Sequence, residues 1–140
     1  METICSCGSV LHLQLCQLTL AHSAPLVIHH VPVIHCDQCN HSEVYSAVKE
    51  TLYHVLAPSQ VKDASELDFE AYSECARYLM LSASDSIPLD QCIDDFCDRM
   101  DDLLDLLGFA MSSNDQEWSE DIQRRLREIH VIVQTVHHFS

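Results

Sequence analysis

The chain contains 140 residues, carries a formal net charge of −15 at pH 7 and is 47% hydrophobic. The hydrophobic fraction excludes a disordered chain, and the length is that of one ordinary domain or of two very small ones. A surface this acidic repels phosphate backbones, which argues against sequence-independent binding of DNA or RNA by the chain alone. It suits a basic protein partner better, or it simply keeps the protein soluble.

The N-terminal residues, up to about residue 45, predict a β-hairpin. Residues 10–22 alternate between apolar and polar side chains, and the phase slips at Cys16–Gln17, which indicates a bulge. A turn signal follows at residues 23–25. The apolar run from Leu26 to Ile34 is typical of a second strand, with Pro32 favouring a sheet edge. The ends of this hairpin bring two pairs of cysteines together.

The hydrophobic period changes after residue 41 to steps of three and four, which predicts helices. Ser42 is a suitable N-cap for the first helix, which ends before Pro58. Three further helices are predicted, from Glu66 to Leu81, from near Pro88 to about Gly108, and from Asn114 or Asp115 onward. The second of these either ends near Gly108, with the glycine as a cap, or continues through Phe109-Ala110-Met111.

The last two predicted helices carry apolar stripes with heptad spacing. Such stripes fit antiparallel or coiled packing, either within one chain or between two chains. We expect a homodimer that forms through these C-terminal helices, over residues 88–136. The stripes are formed by Ile93, Phe96, Met100, Leu103 and Leu107 in the first helix and by Ile122, Leu126, Ile129, Val133 and Val136 in the second.

Eight cysteines are present, and four of them form two close pairs, Cys5–Cys7 and Cys36–Cys39. The sequence shows no secretory leader and no apolar run long enough to cross a bilayer, so we expect a cytoplasmic protein with no membrane contact. In that compartment, paired cysteines bind metal more often than they form disulfides. The remaining four have strand or helix spacing and are predicted to be small core residues: Cys16, Cys75, Cys92 and Cys97.

The two cysteine pairs predict one structural zinc ion, with the ligands Cys5, Cys7, Cys36 and Cys39. Thiolates on two tight turns supply the tetrahedral geometry that zinc takes, and four thiolates leave no open position for water. Gly8 and Asn40 follow the two pairs, where such turns need a positive φ. Because the first pair has a single spacer residue, a site in which His35 or His41 replaces one thiolate stays open.

Three motifs occur in a fixed order in residues 1–57. They are Cys5-Ser6-Cys7-Gly8, Val31-Pro32-Val33-Ile34-His35-Cys36-Asp37-Gln38-Cys39 and Glu43-Val44-Tyr45-Ser46. This order resembles the YgiT/MqsA-type zinc-finger domain, which opens with Cys-x-x-Cys-Gly, closes its hairpin with Val-Pro and a second Cys-x-x-Cys-Gly, and leads through an acidic-aromatic stretch into a helix. The chain departs from that pattern in its shortened first pair and in Asn40, where the family has glycine.

The resemblance implies a zinc domain of the kind that occurs in bacterial antitoxins, where it contacts a toxin while a C-terminal helix-turn-helix domain binds operator DNA. Residues 60–140 lack the short helix, glycine turn and second helix with basic or amide side chains that such DNA binding needs. The basic cluster Arg124-Arg125-Arg127 is surrounded by acidic residues, so we expect it to form i,i+4 ion pairs. DNA binding is therefore not expected.

An Asp-rich stretch in the third predicted helix leaves an alternative function open. Residues 94–98 and 101–105 each have the form Asp-Asp-x-x-Asp, which binds Mg²⁺-diphosphate in isoprenoid synthases. The alternative is a small Mg-dependent phosphate-processing enzyme that uses the face from Asp94 to Asp105. A solvated acidic face explains the same residues, and the sequence contains no phosphate-binding glycine loop, GxSxG or HExxH motif.

Together these patterns predict an α+β protein. A small zinc-stapled β-hairpin domain spans residues 1–57, and an acidic helical bundle spans residues 58–140. We expect a zinc-binding protein that is not an enzyme and that acts as an interaction or regulatory module of antitoxin-like type, docking on a protein partner.

Overall fold

The computed structural model describes residues 5–20, 25–57, 66–82 and 86–137. They form an α+β fold in which helices pack on a five-stranded sheet. No helix among them is both long enough and apolar enough to span a bilayer. The elements, in chain order, are β1 (His12–Leu20), β2 (Leu26–His35), β3 (Ser42–Val44), α1 (Lys49–Val55), β4 (Glu66–Asp68), α2 (Glu74–Leu81), β5 (Ser86–Pro88), α3 (Ile93–Ser112) and α4 (Gln116–His137).

Strands β1 and β2 form the predicted antiparallel hairpin, and every other strand pairs with one of them. Their register places His12 opposite His35 at the end nearest the cysteine pairs. The register shifts between Cys16 and Leu18, which confirms the predicted bulge. Most of the predicted turn at residues 23–25 lies outside the described residues.

The three short strands attach to the two outer sides of this hairpin. β5 pairs with the start of β1, while β3 and β4 pair with opposite ends of β2. Strand β2 is therefore flanked on both sides, and the expectation that it lies at a sheet edge is wrong. Pro32 lies between the stretches paired with β3 and β4, and its carbonyl accepts a hydrogen bond from the Tyr45 amide at 3.1 Å. Pro32 therefore lies where neither β3 nor β4 pairs with β2, and at such a position a sheet tolerates a residue that has no N–H group to donate.

The predicted boundary between residues 57 and 58 borders residues 58–65, which lie outside the described residues. Strands β4 and β5 come after this boundary in sequence, yet they pair with β2 and β1 of the hairpin. The described residues on the two sides of the boundary thus share one sheet and one hydrophobic core.

Each of the three short strands begins a unit with the same local structure. A 3₁₀ turn follows the strand, and a helix follows the turn: Ser46–Val48 precedes α1, Phe69–Ala71 precedes α2 and Leu89–Gln91 precedes α3. The residue directly after each strand is a large apolar side chain that is buried in the core; these residues are Tyr45, Phe69 and Leu89. The strand aligns this side chain with the sheet, and burial of the side chain fixes where the helix can begin.

Helices α1 and α2 begin later than the sequence pattern predicts. Ser42 was expected to cap the first helix, but it lies in β3, with its Oγ 2.7 Å from His35 Nδ1. Glu66 was expected to open the second helix, but it lies in β4, and Ser73 caps α2 instead. These strands are three residues long, which is too short for an alternating pattern to show, so the spacing of the following helix dominates the prediction.

Helices α3 and α4 are antiparallel neighbours, and the described side chains of the two predicted stripes belong to one hydrophobic core within the chain. The side chains of Ile93 and Val136 lie outside the described part of the structure. Gly108 lies inside α3, which continues to Ser112, so the helix follows the alternative in which residues 109–111 extend it and Gly108 is not its cap. Asn114 has a φ of 58° and closes a Schellman motif, in which the Asp115 amide donates to the Ala110 carbonyl at 3.1 Å. Pairing of two copies through these helices stays a prediction.

The carboxylate of Glu128 in α4 joins three elements inside the fold. Only 4% of Glu128 is exposed. Its oxygens accept hydrogen bonds from the Thr51 hydroxyl at 2.8 Å, the Ser73 hydroxyl at 2.6 Å and the Cys75 amide at 2.8 Å. Thr51 belongs to α1, whereas Ser73 and Cys75 form the N-terminus of α2, where the helix dipole favours a negative charge. These donors offset the cost of burying the carboxylate.

We expect Glu128→Ala to lower the free energy of unfolding by about 3–5 kcal/mol, because the substitution leaves several buried donors without an acceptor. Urea unfolding followed by far-UV circular dichroism measures the change. Glu120→Ala, at an exposed position of the same helix, is the matched control and should stay within about 0.5 kcal/mol of the parent protein. Equal losses in the two variants would contradict the role given to Glu128.

The same carboxyl group gives the fold a pH dependence. Burial raises the pKa of Glu128 above its ordinary value, although the donors from Ser73, Cys75 and Thr51 oppose the rise. A raised folded-state pKa contributes stability that is fully present below the unfolded-state pKa and is lost as the pH rises through the folded-state pKa. We expect the stability of the parent relative to Glu128→Gln, whose amide does not titrate, to increase as the pH falls from above neutrality toward the ordinary pKa of a glutamate. Thermal unfolding of both proteins over this range would contradict the expectation if their difference stayed constant.

Candidate metal centre

Two tight turns hold the predicted cysteine ligands. In the first turn, the Cys5 amide donates to the Ser9 carbonyl at 2.8 Å, and the Gly8 amide donates to the Cys5 carbonyl at 2.9 Å. In the second turn, the Cys36 amide donates to the His41 carbonyl at 2.9 Å. The first turn comes shortly before β1 and the second directly follows β2, so the pairing of these strands sets the two turns side by side.

The four sulfur atoms carried by these turns converge. The Cys5 and Cys39 sulfurs are 3.5 Å apart, the Cys7 and Cys36 sulfurs are 3.4 Å apart, and all four lie within 4.8 Å of one another. A disulfide bond would require about 2.05 Å, so the cysteines are free thiols. Four bonds of about 2.3 Å to a tetrahedral ion require sulfur–sulfur separations of about 3.8 Å, which lies within the spread of this cluster. The arrangement fits one metal ion.

Backbone amides and neighbouring sulfurs set the acidity of these thiols. The Ser9 amide is the main cause that lowers the pKa of Cys7 to about 6. The Cys7 amide likewise lowers the pKa of Cys5. The His41 amide lowers the pKa of Cys39. The neighbouring sulfurs of Cys5 and Cys36 raise it by more, so that the pKa of Cys39 is about 11. The amides therefore favour thiolates, whereas crowding opposes the ionisation of the whole set in the absence of a cation.

The two histidines beside the cluster have other partners. His35 Nδ1 lies 2.7 Å from Ser42 Oγ, and His35 Nε2 lies 3.2 Å from Asp37 Oδ1. His41 Nε2 lies 3.7 Å from Glu43 Oε2. Neither imidazole belongs to the converging group of ligand atoms. The geometry therefore favours the set of four cysteines over a site in which one histidine replaces a thiolate.

The other cysteines lie outside this cluster. Cys75 and Cys92 are fully buried in the hydrophobic core, where they were predicted. Cys16 and Cys97 are only half-buried. Cys75 and Cys92 are thus confirmed as small core side chains, whereas Cys16 and Cys97, which were predicted to be core residues as well, do not belong to that core.

The Asp-rich stretch of α3 does not form a comparable site. Asp94, Asp95 and Asp98 are exposed to solvent, as are the acidic residues one and two turns further along the helix. Asp95 accepts a hydrogen bond from the Tyr78 hydroxyl at 2.7 Å. Among the described residues, the cysteines are the one group of His, Cys, Asp or Glu side chains whose ligand atoms converge.

The basic cluster of α4 mostly joins this helix to other elements. Arg125 forms the predicted i,i+4 ion pair with Asp121 at 2.9 Å, and it also reaches Glu74 of α2 at 2.8 Å. Arg124 is buried and donates to the Tyr72 carbonyl at 2.9 Å. The sequence shows the charges of this cluster and the Asp121 pair, but not Glu74 and Tyr72, because these two partners lie about fifty residues away along the chain.

An unexpected cleft lies beside the first turns of α4. Its walls come from α1, from the segment before α2 and from α4, and they include His54, Tyr72 and Trp118. These aromatic residues belong to three separate elements, so their spacing in the sequence does not place them together. The excess of acidic residues near Trp118 is the one signal in the sequence that points to this region.

No family model, curated protein or solved structure matches this chain. The cluster of cysteines alone does not identify a zinc-finger family, because unrelated folds use the same ligand set. The resemblance to the YgiT/MqsA-type domain therefore stays a prediction, and the function has to be argued from the geometry of this chain.

The two glycines of the chain offer a matched test of the first cysteine turn. Gly8 has a φ of 96°, as predicted for this turn, whereas Gly108 lies in α3, where an added methyl group would meet no atom within 4 Å. We expect Gly8→Ala to lower the free energy of unfolding by about 1–2 kcal/mol, because a side chain opposes the left-handed conformation. Gly108→Ala should raise it by about 0.5–1 kcal/mol through helix propensity. Chemical unfolding of both variants measures the two changes, and a neutral Gly8→Ala would contradict the turn geometry.

Proposed function

We propose that this chain is a non-catalytic zinc-binding protein that acts as an interaction or regulatory module, of antitoxin-like type, by docking on a basic protein partner. The observation that supports the metal is the convergence of four free cysteine sulfurs within 4.8 Å. The docking role builds on that site and on the charge of the chain.

The donor chemistry favours zinc over harder cations. Thiolate ligands select soft or borderline metals, and a tetrahedral set of four sulfurs is typical of zinc or of iron. Calcium and magnesium prefer oxygen ligands, and the Asp-rich face of α3 brings no such group together among the described residues. Zinc needs no redox partner and takes the tetrahedral geometry without strain, so we assign the site to zinc.

A structural role follows from the position of the ligands. Cys5 and Cys7 precede β1, and Cys36 directly follows β2. An ion bound to all four sulfurs ties the turn before β1 to the turn after β2 at one end of the hairpin and has no coordination position left for a substrate. The ion would therefore stabilise the sheet on which the helices pack, and it would do no chemistry of its own.

The net charge of −15 supports a basic partner. Long-range attraction to a positive surface speeds association and rejects acidic competitors. In α3, the exposed aspartates line the surface of a long helix without forming a ligand site. A surface of this kind suits docking better than catalysis.

We expect one zinc ion per chain in the protein purified from cells grown with zinc, as measured by native mass spectrometry together with elemental analysis. Cys7→Ser should lose the ion, because it removes a ligand on the exposed side of the cluster. Cys97→Ser, a half-buried cysteine outside the cluster, is the matched control and should keep it. Chelation should lower the melting temperature of the parent by at least about 10 °C, since the binding energy of a structural zinc is part of the folding energy.

Three outcomes would contradict the proposal. The parent protein could fold fully without metal, the Cys7→Ser and Cys97→Ser variants could bind zinc equally well, or elemental analysis could find iron in place of zinc. The last outcome would keep the site and change its metal.

A further inference from the structure

The cleft beside α4 has the size of a binding site. Its volume is about 800 Å³, within the range of about 300–1,000 Å³ that is typical of ligand sites. One side is formed by the first turns of α4, and His54 of α1 and Tyr72, just before α2, line it as well. The cleft lies on a different part of the chain from the cysteine turns, and the proposed zinc site does not use it.

Aromatic side chains supply much of its lining. Trp118 is 39% exposed, which is unusual for the largest apolar side chain. Tyr72 is half-buried and meets His54 edge-to-face, with ring centroids 6.3 Å apart. Exposed aromatic faces attract cations, arginine above all, through the negative face of the ring.

The charges of the cleft leave a negative excess. Arg127 directs its Nε at both carboxylate oxygens of Glu50, at 3.0 and 2.9 Å. Arg124 is paired with Asp121 and donates to the Thr51 hydroxyl at 3.2 Å. Both cations of the lining are thus compensated by their own partners. Three acidic residues of the lining form no ion pair with a cation of the described residues: Asp115, Glu117 and Glu120.

The start of α4 does not offer an anion site in this cleft. Asp115 Oδ1 accepts a hydrogen bond from the Trp118 amide at 3.0 Å, and the Asp115 carbonyl accepts one from the Ser119 amide at 2.9 Å. The Trp118 amide of the first turn is therefore occupied by Asp115, and the negative charge of Glu117 in the same turn offsets the positive end of the helix dipole. The field in the cleft favours a cation.

We propose that this cleft binds an arginine- or lysine-bearing segment of the basic protein partner. The cationic head stacks against Trp118 and Tyr72 and pairs with Glu117 and Glu120. This inference rests on the proposed function, because it identifies where the partner docks. It adds the recognition chemistry: a positive side chain held between aromatic faces and carboxylates, with the rest of the segment extending along the open cleft.

The test uses the full-length, zinc-loaded protein and a short arginine–glycine repeat peptide, blocked at both ends. Titration calorimetry and the fluorescence of Trp118, the one tryptophan of the chain, report binding. The same peptide with citrulline in place of arginine keeps the shape and removes the charge. We expect saturable binding of the arginine peptide that weakens as salt is added, and at least tenfold weaker binding of the citrulline peptide.

Two double variants separate the cleft from the overall charge. Glu117→Gln with Glu120→Gln removes two charges from the cleft, and Asp101→Asn with Asp102→Asn removes two from an exposed part of α3 outside it. The cleft variant should bind the arginine peptide about five- to tenfold more weakly, the size expected from two exposed ion pairs. The α3 variant should stay within about twofold of the parent, since only screened long-range attraction is lost.

The proposal is overturned if both double variants weaken binding equally, because the peptide would then respond only to net charge. It is also overturned if the citrulline peptide binds as well as the arginine peptide, or if an acidic peptide or inorganic phosphate competes for the cleft. Zinc content is measured in every sample. Zinc-loaded parent protein that fails to bind the peptide overturns this inference alone, whereas folded parent protein without zinc overturns the proposed function.

Discussion

The carboxylate of Glu128 is buried among the helices. It accepts a hydrogen bond from a hydroxyl of α1, and two more from a hydroxyl and a backbone amide at the start of α2. An acceptor that is 4% exposed can hold these donors only if α1, α2 and α4 keep one relative position, because a shift of an ångström would break bonds that water cannot replace. Neighbouring arginines extend the same constraint. Arg124 donates a hydrogen bond to the Tyr72 carbonyl, and Arg125 donates one to the Glu74 carboxylate. Both bonds connect α4 to the segment around the start of α2. The cleft exists because these contacts hold its walls at fixed positions.

A second constraint comes from the hairpin. Three units of strand, 3₁₀ turn and helix attach to β1 and β2, and each inserts a large side chain into the core directly after its strand. A strand of three residues has little stability by itself and depends on the long strand beside it. The cysteine turns lie at the end of the hairpin where β3 and β5 also pair. Metal binding at those turns would therefore stabilise the end of the sheet at which two of the three short strands pair.

How far the sequence predicts this structure depends on how local each signal is. The two cysteine turns, the bulge after Cys16 and the positive φ of Gly8 and Asn40 are encoded by neighbouring residues, and the structure has them. Strands β4 and β5 pair with residues far away along the chain, so their short segments look like the first turns of helices. The same reason hides the role of Glu128. A glutamate next to three arginines resembles a solvated helix face until its partners Thr51 and Ser73 are known.

A short stretch of chain links the second cysteine turn to the cleft. The second cysteine turn is closed by the Cys36 amide on the His41 carbonyl, and β3 begins at the next residue. The pairing of β3 with β2 places the 3₁₀ turn and then α1, which carries both Thr51 for the buried network and His54 for the cleft. An ion that fixes residues 36–41 thus also fixes the register from which one wall of the cleft is built. In this fold, the proposed structural metal would thus act, without chemistry of its own, on one wall of the proposed docking surface.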